Sequence, residues 1–202
     1  MSAAAAKAEG ARRTRLSPER EGELYAAVLD LLREVGYDAL TMDAVAARSR
    51  SSKATLYRQW QGKPRLVAAA LRHQRPPLDR LDTGSLRGDL HELARRMGAA
   101  KKDVALMQAV APAAHKNKDL AEALHEALIQ PELEVLQAML DRAVARGEAE
   151  ADAPAHEFFP HMVTGALMAR PLIERCEADA TYLKRYLDAV VLPVLVRNPQ
   201  QN

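Results

Sequence analysis

The sequence has few of the residues that stabilise small cross-linked or strand-rich domains. Among its 202 residues there is one cysteine, Cys176, and aromatic residues make up 4% of the chain. A single cysteine excludes an intramolecular disulfide and is typical of a reducing compartment. Alternation of apolar and polar residues is also rare, whereas alanine and leucine are abundant and apolar residues recur every three or four positions. This periodicity predicts an all-α fold with nine or ten helices.

Long apolar runs are missing too. No segment reaches the ~18 to 20 uninterrupted apolar residues that a membrane span needs, and the first residues contain no apolar signal core. We therefore expect no membrane partner and a cytoplasmic location.

Acidic residues are missing from one long stretch of the chain. None lies between Asp43 and Asp79, although eight basic residues do. Residues 1–75 carry 14 lysines and arginines against 8 acidic residues, a net charge of +6, whereas residues 76–202 carry a net charge of −4. Because ordinary protein surfaces mix both signs, the stretch predicts a polyanionic partner.

Helix starts and stops divide the chain into an arm and two domains. Residues 1–16 are small, basic and unpatterned, and we expect a disordered arm there. Residues 17–75 form the first predicted domain, and Pro76-Pro77 marks its end because proline does not continue a helix. Residues 76–202 hold the longer helical patterns of a second domain.

Three helices joined by short turns are predicted in the first domain. We expect Gly36 to end the first helix in a left-handed conformation, Thr41 to cap the second and Ser52 to cap the third. On the third helix, Leu56 and Trp60 are four residues apart and face inward, which leaves the opposite face exposed. A helix-turn-helix of this kind, over residues 41–60, places one exposed helical face in the DNA major groove.

Two runs in this domain carry a family resemblance. GYDALTMDAVAA (residues 36–47) and SKATLYR (residues 52–58) are similar to the tetracycline-repressor (TetR) family, and Lys63 followed by Leu66-Val67 resembles the start of its fourth helix. The resemblance implies an N-terminal helix-turn-helix DNA-binding domain and a C-terminal helical ligand-binding and dimerisation domain. It implies a transcription regulator, most often a repressor, that binds double-stranded operator DNA as a homodimer, and we expect no cofactor.

The resemblance also assigns residues to the DNA. Thr41, Tyr57 and Lys63 match positions that usually contact backbone phosphates, and residues 52–55 match the start of the recognition helix, which approaches the bases. Arg58 is expected to contact either a base or a phosphate. The candidate DNA-binding residues are therefore Thr41, Ser51, Ser52, Lys53, Ala54, Thr55, Tyr57, Arg58 and Lys63.

Two positions in the predicted turn depart from the family pattern. Arg50 stands where the family usually has glycine, and Ser51 where it has a branched apolar residue. A non-glycine residue in a left-handed conformation costs roughly 1–2 kcal/mol, so we expect a looser or slightly altered turn. Arg50 also adds a positive charge near the DNA.

A homodimer interface is predicted on the last two helices. A two-fold dimer matches a palindromic operator, because one helix-turn-helix reads only half a site. Leu183, Leu187, Val190 and Val194 form one stripe of a helix that is apolar on other sides as well. On the preceding helix, Gly165 and Ala169 are small enough to allow close approach of a partner.

A small, largely apolar effector is expected within residues 80–175. Three prolines, Pro131, Pro160 and Pro171, are predicted to interrupt helices and open a cavity there. Flexible or aromatic apolar residues would line it, with histidines as polar anchors. The candidate lining residues are Met97, Met107, Phe159 and Met162, and the candidate anchors are His115, His125 and His161.

Other function classes stay open on weaker grounds. Without an enclosed cavity, the chain would be a constitutive DNA-binding regulator or a protein-interaction module. An enzyme or a metal site is disfavoured, because neither His91-Glu92 nor His125-Glu126 completes a His-Glu-x-x-His motif and no glycine-rich phosphate loop occurs.

Overall fold

The computed structural model describes residues 16–75, 81–99 and 101–196. The predicted arm, except for Leu16, and the Pro76-Pro77 boundary lie outside these residues. The described residues are helices joined by turns and loops, and their only strand-like feature is an isolated bridge between Ala149 and Val196. The all-α prediction is confirmed.

Eleven α-helical segments follow one another in the described residues. They are α1 (Pro18–Ala39), α2 (Met42–Ser49), α3 (Lys53–Trp60), α4 (Lys63–Gln74), α5 (Leu86–Ala99), α6 (Lys101–Lys116), α7 (Lys118–Leu124), α8 (Gln130–Ala145), α9 (Phe159–Ile173), α10 (Ala180–Tyr186) and α11 (Leu192–Leu195). Two π-helical turns, His125–Ile129 and Leu187–Val191, join α7 to α8 and α10 to α11, and a 3-10 helix, Pro154–Phe158, precedes α9. With joined segments taken together, the described residues form nine helices, within the predicted number.

The chain divides into two compact units. Of the described residues, the first unit contains 16–74 and 106–127, and the second contains 75, 81–99, 101–105 and 128–196. Residues 106–127 therefore belong to the compact first unit, whereas the sequence places them in the second predicted domain. The functional division into a DNA-binding and a ligand-binding domain stays a prediction.

The first helix begins as its sequence predicts but ends differently. Ser17 Oγ accepts a hydrogen bond from the Arg20 backbone N–H at 3.4 Å. Gly36 has φ 74° and ψ 174°, so it breaks the helix in an extended conformation that suits glycine rather than in the predicted left-handed helical one. One more helical turn follows, which buries Tyr37 and closes with a hydrogen bond from the Leu40 N–H to the Gly36 carbonyl.

Apolar side chains from α1, α3 and α4 form the core of the first unit. Leu24, Leu56 and Leu66 are at most 1% exposed. The Tyr25 ring meets the Trp60 ring edge-on, with centroids 5.9 Å apart, a favoured aromatic geometry. The inward-facing residues of α3 are therefore those predicted, and they fix this short helix on its neighbours.

The prolines of the second unit do not all act as predicted. Pro131 lies in the first turn of α8, directly after the π-helical turn His125–Ile129, so the expected irregularity is present. Pro160 lies in the first turn of α9, where no N–H is required. The prediction that Pro160 interrupts a helix is therefore wrong. Pro171 is inside α9, near its end.

The last helix presents a different face to the core than the sequence predicts. Leu183, Leu187, Val191 and Leu195 are all at most 2% exposed and lie in the core of the second unit. These buried residues are four apart throughout, a spacing that drifts around a regular α-helix and that the wider π-helical turn Leu187–Val191 accommodates. Leu183 and Leu187 are thus core residues, and their prediction as interface residues is wrong.

Candidate nucleic-acid interface

Capped helices position the helix-turn-helix. Thr41 Oγ1 accepts a hydrogen bond from the Ala44 N–H at 3.1 Å, and Ser52 Oγ accepts one from the Thr55 N–H at 3.1 Å. Both predicted caps are therefore formed. Met42 and Val45 bury the inner side of α2, while Thr41 stays exposed at its start.

The turn between α2 and α3 keeps a tight geometry in spite of Arg50. This residue adopts the left-handed conformation, with φ 52° and ψ 37°. The Ser51 N–H donates to the Ala46 carbonyl at 3.0 Å and the Arg50 N–H to the Ala47 carbonyl at 3.4 Å, the paired bonds of a Schellman motif. The expectation of a looser turn is therefore not met. Ser51 is half-buried, and its hydroxyl lies 3.5 Å from the Ser49 carbonyl oxygen.

The recognition helix α3 has a buried face and an exposed face. Leu56 and Trp60 are buried, whereas Lys53, Ala54, Tyr57 and Arg58 are exposed and Thr55 is partly exposed. The Ser52 and Thr55 hydroxyl oxygens are 2.8 Å apart, so one donates to the other. The exposed face thus offers hydroxyl, basic and phenolic groups on a helix held from behind.

Lys53 is paired with an acidic residue of α2. Its Nζ lies 2.8 Å from Asp43 Oδ1 and 3.0 Å from Oδ2, and both side chains are more than half exposed. The hydrogen bond to Asp43 raises the pKa of Lys53. Any contact of Lys53 with DNA therefore competes with this intramolecular pair.

Lys63 holds the end of α1. Its Nζ donates to the Tyr37 carbonyl at 2.9 Å and lies 4.2 Å from the centroid of the Tyr37 ring, a cation–π geometry. Burial raises the pKa of Tyr37 to about 12. The residue predicted to bind phosphate is thus also a structural link between α4 and α1.

Two protein-family models match separate parts of the chain. The model of bacterial regulatory proteins of the tetR family matches residues 24–70, and the model of the tetracyclin repressor-like C-terminal domain matches residues 80–190. The chain belongs to the TetR family. It is a DNA-binding transcription regulator, as predicted, and members of this family are regulators rather than enzymes.

Two related proteins align with this TetR-family regulator over most of its length. An HTH-type transcriptional regulator of Mycobacterium tuberculosis is 36% identical over 187 residues, which cover 89% of each chain. The DNA-binding transcriptional repressor TetR of Mycobacteroides abscessus is 36% identical over 184 residues, which cover 88% of this chain and 94% of the relative.

Solved structures share the fold at lower identity. A TetR-family regulator from Rhodococcus sp. has a TM-score of 0.68 and 18% identity, and covers 86% of this chain and 99% of its own. The flavonoid-responsive regulator FrrA has a TM-score of 0.65 and 24% identity, with coverages of 88% and 96%.

The predicted effector residues do not lie together in one unit. Met107 belongs to the first unit, whereas Met97, Phe159 and Met162 belong to the second. Phe159 is fully buried, and Met97 and Met162 pack against the same core. The predicted anchors His115, His125 and His161 are exposed.

A partly open cavity of about 390 Å³ lies in the second unit. Its walls come from α8, from the 3-10 helix Pro154–Phe158 and from the start of α9, and they include Leu133, Leu136, Leu140, Phe159 and Pro160. His156 also lines it, and the buried His156 Nε2 has no hydrogen-bond partner among the described residues. Of the four predicted lining residues, Phe159 is the one that borders this cavity.

The remaining predicted interface residues lie at the surface. Val190 and Val194 are 44% and 48% exposed, Gly165 is exposed and Ala169 is half-buried. A methyl group added at Gly165 would meet no atom within 4 Å. Near the end of α9, Leu172 and Ile173 add two apolar side chains with about four-fifths of their surface exposed.

None of the helices that the structure describes is long and apolar enough to cross a membrane. The described residues also contain no group of three or more histidine, cysteine or acidic side chains suited to a metal ion.

Several residues that shape these sites were not predicted from the sequence. Asp43 pairs with Lys53, and both Glu34 carboxylate oxygens accept hydrogen bonds from Arg48. These partners are separated by 10 and 14 residues, so no local pattern indicates them. His156 had a weak signal, since it lies three residues before the predicted lining residue Phe159.

Proposed function

We propose that this regulator is a repressor that occupies a palindromic operator through α3 and is released by a small apolar molecule. One observation supports its DNA-binding part above the others. The short helix α3, capped by Ser52, is packed on its inner side and presents hydroxyl and basic groups on its outer side. A rigid helix of this kind fits the major groove.

The proposed contacts fall into two groups. Ser52, Lys53, Ala54 and Thr55 approach base edges, with Ser51 and Arg58 beside them, because the first residues of a recognition helix lie deepest in the groove. Thr41, Tyr57 and Lys63 contact phosphates, which fix the register without reading sequence. Thr41 fits this role because its oxygen accepts the cap bond, which leaves the hydroxyl proton for a phosphate oxygen.

Sequence preference tests the reading helix. A protein carrying both Lys53→Ala and Thr55→Ala is compared with the wild type by in vitro selection from random duplexes, followed by titration of the selected site. We expect a changed preference, because each good base contact contributes roughly 1–3 kcal/mol of discrimination. Lys116→Ala, an exposed lysine of α6, is the matched control. Unchanged affinity and unchanged preference in the double variant would show that α3 is not the reader.

The proposed dimer uses the surface of the last two long helices. Val190, Val194, Leu172 and Ile173 are large apolar side chains exposed on the second unit, and such side chains in a soluble protein mark an interaction surface when they are clustered. Gly165 and Ala169 add small residues that permit close helix approach. A homodimer supplies the two reading helices that an inverted repeat needs.

The proposed effector binds in the second unit. Met97, Phe159 and Met162 are the sequence-proposed lining residues of that unit, whereas Met107 belongs to the first unit. The cavity bordered by Phe159 supports an apolar ligand. His156 lines the same cavity, which supports one polar group on the ligand beside its apolar body. A regulator of the same fold is named flavonoid-responsive, which favours aromatic compounds as the first to test.

A variant whose cavity is partly filled tests whether the effector binds there. Leu133 is partly exposed and lines the cavity, so Leu133→Trp should occupy part of it while leaving the operator complex intact. Aromatic compounds that release the wild type from its selected operator should act more weakly on this variant. If no compound changes operator affinity, the chain is a constitutive regulator, which is the second candidate function.

We place the activity of this regulator in the cytoplasm, where an operator would lie in a bacterium.

A further inference from the structure

We propose that Arg50 is a DNA-backbone-binding residue, which ties the turn of the helix-turn-helix to a phosphate at the edge of the groove that α3 enters. The proposal rests on the proposed role of α3 as the reading helix. It adds a contact that the family pattern does not provide, since glycine usually occupies this position.

The backbone conformation of Arg50 is the first observation. Only three described residues other than glycine have a positive φ, namely Arg50, Gln61 and Arg175, whereas glycine occupies such positions at Gly36, Gly62, Gly84 and Gly147. Glycine adopts this conformation without strain. A long charged side chain at a position that glycine would occupy with less strain points to a role of the side chain itself.

The pairing of the neighbouring cations is the second observation. Arg48 donates to both oxygens of Glu34, at 3.0 and 2.8 Å, and Lys53 lies 2.8 Å from Asp43. The exposed Arg50 side chain forms no hydrogen bond or ion pair with any described residue. Its full charge and its guanidinium donors are therefore available to a partner from solution.

The position of Arg50 selects a phosphate rather than a base. It lies two residues before the Ser52 cap, on the turn and not on α3 itself. The Schellman bonds fix its Cα at the end of α2, shortly before α3 begins. Phosphates line the edges of the groove that α3 enters. An arginine fork matches the geometry of a phosphate.

Substitutions that separate charge from strain test the proposal. Arg50→Gly removes both, Arg50→Gln removes the charge alone, and Arg50→Lys keeps the charge. Arg175→Gly is the matched control, because Arg175 is also exposed and has a φ of 55°, but it lies in the second unit. Full-length proteins are titrated against a random-sequence duplex and against a selected operator at several potassium chloride concentrations, and their urea midpoints and masses in solution are recorded.

We expect Arg50→Gly and Arg50→Gln to reduce the slope of log affinity against log salt by about 0.9 for each bound protomer. This reduction corresponds to roughly fivefold weaker binding per protomer at 0.15 M salt, and it should apply equally to both duplexes. Arg50→Lys should keep the slope. Arg50→Gly should also have a urea midpoint at or above that of the wild type, so the loss of binding cannot come from unfolding. Arg175→Gly should change the midpoint without changing the slope.

Three results would overturn the proposal. The first is an unchanged salt slope in Arg50→Gly and Arg50→Gln. The second is a loss of affinity confined to the operator duplex, which would make Arg50 a base reader. The third is an equal change of the salt slope in Arg175→Gly. The variant with both Lys53→Ala and Thr55→Ala is measured in parallel. If it loses sequence preference while Arg50→Gly keeps its salt slope, only the Arg50 contact fails. If it loses nothing, the reading role of α3 fails as well.

Discussion

Gly98 lies where α5 passes close to the start of α10. A Cβ added at this position would be 2.3 Å from the Ala180 backbone nitrogen and 2.7 Å from its Cα. Both atoms belong to the backbone, so rotation of a side chain cannot relieve the contact. Gly98→Ala should therefore push α10 away from α5 and destabilise the second unit.

The magnitude follows from two opposing effects. Inserting a methyl group into a packed site costs typically about 1–3 kcal/mol, and the upper half of that range applies because the opposing atoms are backbone. Replacing a helical glycine by alanine returns roughly 0.5–1 kcal/mol. The expected net loss is about 1–2.5 kcal/mol in the free energy of unfolding.

Gly22 provides the matched control. It lies within α1, where an added Cβ would be 3.7 Å from His73 Nε2, an ordinary contact distance. Gly22→Ala should therefore keep the gain in helix propensity, roughly 0.5–1 kcal/mol. Both variants are compared with the wild type by urea denaturation followed by circular dichroism. A Gly98→Ala protein as stable as the wild type, beside a stabilised Gly22→Ala protein, would refute the packing argument.

Three further substitutions have defined outcomes. Lys63→Ala should weaken binding equally on all duplexes, and a sequence-dependent loss of binding would contradict this. It should also lower the free energy of unfolding by about 0.5–1.5 kcal/mol, because it loses the hydrogen bond to the Tyr37 carbonyl. Val194→Asp should yield monomers that bind the operator weakly, as measured by sedimentation, and a wild type that is monomeric at micromolar concentration would contradict the dimer. Glu148 accepts hydrogen bonds from the Leu86 N–H and from Arg146, which lower its pKa. Its stabilising effect is therefore complete above the unfolded value, about 4.3, and is lost as the pH falls through the folded value, so the stabilities of the wild type and Glu148→Gln should converge in acid-urea titrations.

Local signals in the sequence predicted much of the helix-turn-helix. Caps need only a hydroxyl and a nearby N–H, so Thr41 and Ser52 were recognisable from three or four residues of context. Inward-facing residues such as Leu56 and Trp60 follow from helical spacing. These features depend on neighbours in the chain, which is why the structure has them as predicted.

Long-range pairing and irregular backbone were not predictable in the same way. Lys63 has the sequence context of a phosphate contact, yet its partner in the structure is the carbonyl of Tyr37, 26 residues earlier. Arg50 was expected to loosen the turn, but hydrogen bonds formed by its own N–H and that of Ser51 retain the tight geometry. In the last helix, regular α-helical spacing favoured Val190 for the same face as Leu187, and the π-helical turn places Val191 there instead.

The π-helical turn Leu187–Val191 has the form of a single inserted residue that the helix absorbs as a bulge. If Ala189 were deleted, Leu183, Leu187, Val191 and Leu195 would fall at spacings of four, three and four, which is the core face of an unbroken α-helix. The same four side chains would then fill the core without any bulge, because Leu187 and Val191 are about one turn apart in either kind of helix. We expect such a deletion to be tolerated in the monomer, so that the exposed side of the last helix, and with it the proposed dimer surface, can lose one residue while the interior stays the same.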